Sequence, residues 1–322
     1  MTRIITDMAG REVEIPDKIT RIYAPSPYGS AILASIAPDL MVGTMLPIQD
    51  EEKPFLPTTL HNLPVIGKYS ETQAIMDARV DLLLLWAEKA APFHKKSEQA
   101  LTPLGIPFIY AVLKELVDLR DYAPIYRFLG KIIGRESEGE LRAVYCESVI
   151  EKTEKIVNKV HPRERPRVYY AEGVDGLSTE FSDSLHAHVL QLAGDVNVFR
   201  GRLEGHAGME PVTFEELERI DPDVILMHSP RLAAAINEPG SPWKRLSAVK
   251  NNRAKLIPHL PFNWFDRPPS FMRLLGLQWV MSLLYPEHYE DDLIEETILF
   301  FKTFMNVSIE PADAKNLLSG RF

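Results

Sequence analysis

Short, continuously apolar runs alternate with amphipathic stretches along this chain. That alternation predicts parallel β-strands buried on both faces and covered by helices. Arg21-Ile22-Tyr23-Ala24 reads as a strand. A turn at Ser26-Pro27-Tyr28-Gly29-Ser30 and a helix to Ile36 follow, then Ala37-Pro38-Asp39-Leu40-Met41-Val42. Arg167-Val168-Tyr169-Tyr170-Ala171 opens the same series, which runs through a helix at Leu190-Gln191-Leu192 into Ala193-Gly194-Asp195-Val196-Asn197-Val198. A second pair matches Ile75–Leu85 with Phe214–Leu226, and a third matches Gly105–Tyr110 with Ala254–Pro258. An ordered set of strand–helix units that recurs once predicts two similar α/β lobes, each with a parallel sheet.

Between the two sets, Leu141, Val144, Tyr145, Val149, Ile156 and Val160 trace one helical face, with no proline or glycine from Glu140 to Val160. This spacing predicts a single helix over 137–160, about 20 residues and roughly 30 Å long. The expected organisation is an N-terminal lobe over 1–136, this connecting helix, and a C-terminal lobe over 161–322. A ligand cleft would lie between the lobes, and the rigid helix would allow only a small closing motion.

The 322 residues are too many for one ordinary core and suit two lobes. A net charge of −9 argues against nucleic acid as the partner, although local donors can still hold an anion. Cys146 is the one cysteine, so no intramolecular disulfide forms, and its helical setting marks it as a packing residue. No apolar run approaches the length of a membrane span. Phosphate-loop, nucleophile-elbow, zinc-protease and dinucleotide motifs are missing. Nothing in the chain therefore suggests ATP hydrolysis, acyl transfer, metalloprotease or dinucleotide chemistry.

Asp7-Met8-Ala9-Gly10-Arg11-Glu12-Val13-Glu14-Ile15-Pro16 followed by Arg21-Ile22, the strand Pro222–Leu226, and Trp243–Lys250 with Asn252-Arg253 resemble class III substrate-binding proteins of ABC importers. Pro261–Ser270 with Arg273–Trp279 resembles the branch that includes molybdate- and tungstate-binding members. The resemblance covers nearly the whole chain. It implies a monomeric extracytoplasmic protein, in the periplasm or on the outer face of the cytoplasmic membrane after a leader has been removed. It would deliver a molybdate or tungstate oxyanion to a permease dimer and hold no resident cofactor. A ferric siderophore, haem, cobalamin or a nickel chelate is the alternative ligand class. A cytoplasmic chelatase-like or nitrogenase-like enzyme of similar lobed topology is the alternative function. The family pattern also implies an acidic residue on each lobe that meets permease arginines. Glu215 holds that position in the second lobe, eight residues before Asp223. Gln73 stands at its first-lobe counterpart, a departure for which Glu71 is the candidate substitute.

In parallel sheets, ligands bind beyond the carboxyl ends of the strands. Here those loops are 24–30, 66–73, 86–92, 171–184, 203–210, 227–233 and 259–270. Ser26-Pro27 reads as N-cap and first helical residue, leaving N–H groups open to an anion, with Tyr28 within reach. Ser182, Asp183 and Ser184 open a second helix with His186 in its first turn. His188 sits roughly 200° around that helix, so the two histidines cannot share one metal. Arg267, between Asp266 and Pro268-Pro269, offers a guanidinium fork for an oxyanion; its competing role is a structural pair with Asp266. Trp86, Tyr170 and Trp264 would line a cavity for a bulky chelate. On the fork reading, Arg267→Ala weakens oxyanion binding at least ~10-fold and leaves the fold intact.

Overall fold

The computed structural model describes residues 1–88, 93–113, 118–201 and 208–320. The expected ligand loops at 86–92 and 203–210 therefore lie partly outside the described residues. The chain divides into two compact units. The first comprises 1–148, 260–262 and 297–310, and the second 149–259, 263–296 and 311–322.

The first unit opens with an antiparallel hairpin, β1 (Thr2–Thr6) and β2 (Glu12–Pro16). It continues through β3 (Ile22–Tyr23), α1 (Pro27–Ile36), α2 (Thr72–Asp77), β4 (Leu82–Glu88), α3 (Phe93–Leu101), β5 (Phe108–Leu113) and α4 (Tyr122–Ile133). Strands β3, β4 and β5 form a parallel sheet in that order, and Met41 pairs in parallel with Ile22 on the far side of β3. Helix α5 (Glu136–Lys159) is one uninterrupted run of 24 residues, close to the expected 137–160.

The second unit contains β6 (Val168–Ala171), β7 (Ser178–Thr179), α6 (His188–Leu192), β8 (Glu210–Pro211), α7 (Phe214–Ile220), β9 (Val224–Met227), α8 (Pro230–Ala235), α9 (Ser247–Lys250), β10 (Ala254–Leu256) and α10 (Arg273–Leu284). After α10 come α11 (Leu293–Phe300) and α12 (Pro311–Ser319). Strands β6, β9 and β10 form a parallel sheet, with Asn197 pairing in parallel with Val168. The two sheets thus share one strand order, as the sequence duplication predicts.

The duplication extends to individual hydrogen bonds. Arg21 donates to the carbonyls of Ala78 and Arg79 at the end of α2, and Arg167 to those of Ile220 and Asp221 at the end of α7. Arg79 and Asp221 both sit at positive φ, 49° and 44°. Asp81 accepts from the Arg21 backbone N–H and Asp223 from that of Arg167. In each unit an arginine at the head of the first strand satisfies the orphan carbonyls of the helix that leads into the second.

The chain after α11 departs from the expected division, which assigned everything from 161 onward to one lobe. Residues 297–310 belong to the first unit. Phe300, Phe301, Phe304 and Met305 are fully buried there, in a stretch with π-type turns at Phe301–Met305. Phe304 meets Tyr126 at 5.6 Å and Tyr145 at 5.3 Å, and Phe301 meets Phe55 at 5.8 Å. An apolar cluster of this kind, three phenylalanines and a methionine, goes wherever enough apolar surface covers it, whatever its place in the chain. Among the described residues, no helix is long and apolar enough to cross a membrane.

Candidate functional site

In the second unit, the carboxyl ends of β6 and β9 and the loop before α10 assemble a cluster of charged side chains. Glu172 follows β6, and its backbone bonds Ser178 in both directions across the short turn to β7. Glu180 follows β7, and its carbonyl accepts from the Asn197 amide at 2.8 Å. Asp266 and Arg267 come from a loop tied by the Trp264 N–H to the Pro258 carbonyl at 3.0 Å. Within it the Asn263 side chain accepts from the N–H groups of Phe265 and Asp266, a turn in which the short amide replaces a backbone acceptor. Arg267 then adopts φ 51°, which aims its side chain back across the strand ends.

Arg267 is the centre of the cluster. Its Nε donates to Glu172 at 2.6 Å, its Nη2 donates to Glu180 at 2.5 Å, and Asp266 lies 3.6 Å from Nε. The expected pair with Asp266 is therefore the longest of three contacts. Glu180 also accepts from the Ser184 hydroxyl at 2.6 Å and the Met209 N–H at 2.9 Å. Gly208 makes room for it, because a Cβ there would stand 2.3 Å from a Glu180 carboxylate oxygen. His186 Nδ1 bonds Asp266 at 2.6 Å, which orients the ring and leaves Nε2 for another partner.

Burial separates these groups. The carboxylates of Glu172, Glu180 and Asp266 are 1%, 0% and 0% exposed, whereas the side chains of Arg267 and His186 keep 28% and 15%. The acids are sealed away and the two nitrogen-bearing groups are the ones solvent can reach. Burial opposes the Arg267 charge, but the Glu172 bond and the surrounding carboxylates more than offset it and hold the pKa above its ordinary value. Burial pushes Glu172 up to about 7 against the pull of Arg267, with Glu180 and Asp266 adding to the rise. Burial lowers His228, with Arg267 and His259 adding to that fall against the pull of Asp266.

The other expected second-unit contacts fall as follows. Ser184 caps a single 3-10 turn at Leu185–Ala187, and α6 beyond it has only five residues, so the expected helix is a short one. The Ser184 hydroxyl is committed to Glu180, and the Ser182 carbonyl accepts from Gln191. His188 is buried at the head of α6. Tyr170 and Trp264 are fully enclosed, and Tyr170 packs on Phe265 with ring centroids 4.7 Å apart. In this conformation neither ring has surface to offer a ligand. The Tyr170 hydroxyl instead lies 3.5 Å from His228 Nδ1.

The first unit brings its own candidates together. Ser26 caps α1 by accepting from the Gly29 N–H at 3.1 Å, with Pro27 at the first helical position, as expected. Tyr28 stacks on Trp86 at 5.8 Å and 16° between ring planes. Trp86 is 7% exposed, and its indole Nε1 is buried without a hydrogen-bond partner among the described residues. Gln73 and Glu215 both occupy the second position of their helices, α2 and α7, and both are exposed. Glu71 is exposed one residue before α2 and makes no capping bond.

Glu172, Glu180 and His228 were not singled out from the sequence. For Glu172 the signal was present, since an acid directly after an all-apolar strand sits at the carboxyl end where ligands bind. A cavity of about 430 Å³ lies at the other end of the same sheet, beside Arg165, Arg167 and Arg200. Those arginines are occupied by backbone carbonyls of Gly194, Val157, Ile220, Asp221 and Asp195, so their role there is to cap chain ends.

Two parallel sheets of identical strand order, the second with a charged cluster at its strand ends, define a duplicated α/β protein. No family model matches the chain. An ABC transporter solute-binding protein from Sulfurospirillum deleyianum superposes with a TM-score of 0.89 at 29% identity, covering 98% of each chain. A periplasmic solute-binding protein from Veillonella parvula shares the fold at 0.80 and 19%, covering 99% of this chain and 97% of its own. The chain therefore has the fold and sequence character of the solute-binding proteins of ABC transporters. Within that class it is similar to the molybdate-binding protein MolA of Haemophilus influenzae, at 27% identity over 154 residues. That match spans 47% of this chain and 42% of MolA, and molybdate-bound MolA superposes at 0.73 with 21% identity over 96% and 99% of the two chains.

Proposed function

We propose that this chain is the ligand-capturing component of an ABC importer, acting outside the cytoplasmic membrane and handing its ligand to a permease. It acts as a monomer, catalyses no reaction and needs no resident cofactor. Its ligand is a tetrahedral oxyanion, molybdate or tungstate. The observation that carries this reading is Arg267. Three buried acids orient its guanidinium, Nη1 makes no hydrogen bond among the described residues, and His186 Nε2 stands ready on the shared partner Asp266. A held fork and an imidazole N–H are donors suited to an oxyanion, which needs N–H groups and fixed positive charge rather than metal coordination by the protein. The similarity to MolA supports the same ligand class.

Calorimetry with molybdate, tungstate and sulfate tests the reading. Arg267→Lys keeps the charge but loses the fork, and it should weaken oxyanion binding at least ~10-fold. A second reading draws on the stacked Tyr28–Trp86 pair and on the excess of carboxylates around Arg267, both of which suit a bulky or cationic metal chelate. If no oxyanion binds below millimolar while a ferric siderophore, haem, cobalamin or nickel chelate does, this second reading replaces the first.

Permease docking is assigned to Glu215, exposed at the second position of α7 and without a bond to any member of the Arg267 cluster among the described residues. Glu215→Ala should bind ligand with unchanged affinity yet lose uptake in a reconstituted transporter. Equal loss of binding and uptake would remove Glu215 from that role. Gln73 and Glu71 are the first-unit counterparts, and Gln73→Glu should raise uptake if a charge is what that position lacks.

A further inference from the structure

The charges around Arg267 do not balance. Three buried carboxylates face one fixed cation, which leaves two negative charges unmatched if all three are ionised. The three acids are also unequally served. Glu180 accepts from Arg267, Ser184 and the Met209 N–H. Asp266 accepts from His186, and its Oδ2, which also makes no hydrogen bond among the described residues, still has the Arg267 charge 3.6 Å away. Glu172 accepts from Arg267 alone, and its Oε2 is buried with no hydrogen-bond partner among the described residues. An ionised carboxylate oxygen without a donor is the least favourable group to bury, and a proton placed on it removes the charge.

We propose that Glu172 is held as a neutral carboxylic acid in the ligand-free protein, and that its proton determines the charge of ligand this site accepts. The second half rests on the ligand reading above. With the proton in place, an incoming oxyanion meets Arg267 and His186 over a less negative base. Once the proton is lost, the added charge stands directly behind the guanidinium and opposes a dianion.

Other titratable groups surround Glu172. Tyr169 and Tyr170 on β6 are kept neutral, since burial raises both phenols. Asp175 lies in the turn to β7, Glu180 after β7, His186 in the 3-10 turn, His228 after β9, and His259, Asp266 and Arg267 before α10. Of these, His186 is the competing source of a pH effect on anion binding, because an imidazole also loses positive charge as pH rises.

The test compares the intact protein with Glu172→Gln and His186→Gln. Glutamine at 172 accepts the Arg267 bond and carries no titratable proton. The infrared spectrum of the ligand-free protein should contain the carbonyl stretch of a dehydrated carboxylic acid at about pH 6, bleached by alkaline titration and absent from Glu172→Gln. Molybdate affinity should fall about five- to tenfold between about pH 6 and about pH 8, as linkage to a single proton allows. His186→Gln should retain that fall and Glu172→Gln should lack it. The proposal is overturned if the band is missing at pH 6, or if Glu172→Gln keeps the full pH dependence. Should no oxyanion bind at any pH, the ligand reading fails on its own, and the infrared band still decides the state of Glu172. A cationic chelate bound in its place would then show the opposite pH dependence, again abolished by Glu172→Gln.

Discussion

Replacing Arg267 with alanine is expected to lower stability by about 3–5 kcal/mol, the usual cost of removing one partner from a buried charged network. The substitution strips Glu172 and Glu180 of their shared donor and leaves three enclosed carboxylates with no fixed cation among them. For a chain of this size the loss corresponds to a fall in melting temperature on the order of 10 °C. The deficit should narrow as pH falls, because protonated acids need no counter-charge, and circular-dichroism melts at about pH 5 and about pH 8 would read it. An unchanged melting temperature would mean that water, and not the guanidinium, satisfies the acids. Arg267→Ala is therefore a poor probe of ligand contact, contrary to the simple fork reading, which leaves the fold intact. Arg267→Lys is the informative variant.

Gly276→Ala should be still more damaging. Gly276 lies in α10, and a Cβ added there would stand 1.7 Å from the Trp264 carbonyl oxygen and 2.7 Å from its carbon. These are backbone atoms of the loop that carries Asp266 and Arg267, so no side-chain rotation relieves the clash. Either the helix or the loop has to move, at a cost beyond the ~1–3 kcal/mol of ordinary overpacking. The expected result is loss of soluble expression or a melting temperature lower by more than about 10 °C. In any protein that does fold, ligand affinity should fall with it, because the loop is displaced. A loss of under about 1 kcal/mol by urea denaturation would show that α10 and the loop are not locked together as described.

Much of the fold was legible in the sequence because it depends on local patterns. Apolar runs such as Leu82–Leu85 and Val224–Met227 become buried parallel strands whatever packs on them. Ser26-Pro27 caps a helix by chemistry confined to four residues. The repeat was legible for the same reason, since each copy carries its own strand signals and the same arginine–helix cap. The site was legible only in part. Arg267 and His186 stand out as nitrogen-bearing side chains in loops at strand ends, and they are the partly exposed members of the cluster. Tyr170 and Trp264 also sit in or beside such loops, yet both are enclosed, because the pattern of a loop does not reveal what covers it.

The sequence by itself determined the strands, the long helix Glu136–Lys159, the duplication and the resemblance to solute-binding proteins of ABC importers. All of these rest on spacings within one segment or on order along the chain. Only the tertiary structure decided that Thr297–Glu310 packs with the first unit, since hydrophobic burial carries no label of chain position. It alone decided that Glu172 and Glu180, eighty-odd residues or more before Arg267, converge on that guanidinium with both acids excluded from water. Charge, desolvation and orphaned oxygens arise from what surrounds a group, and in this protein those surroundings come from three separate stretches of chain.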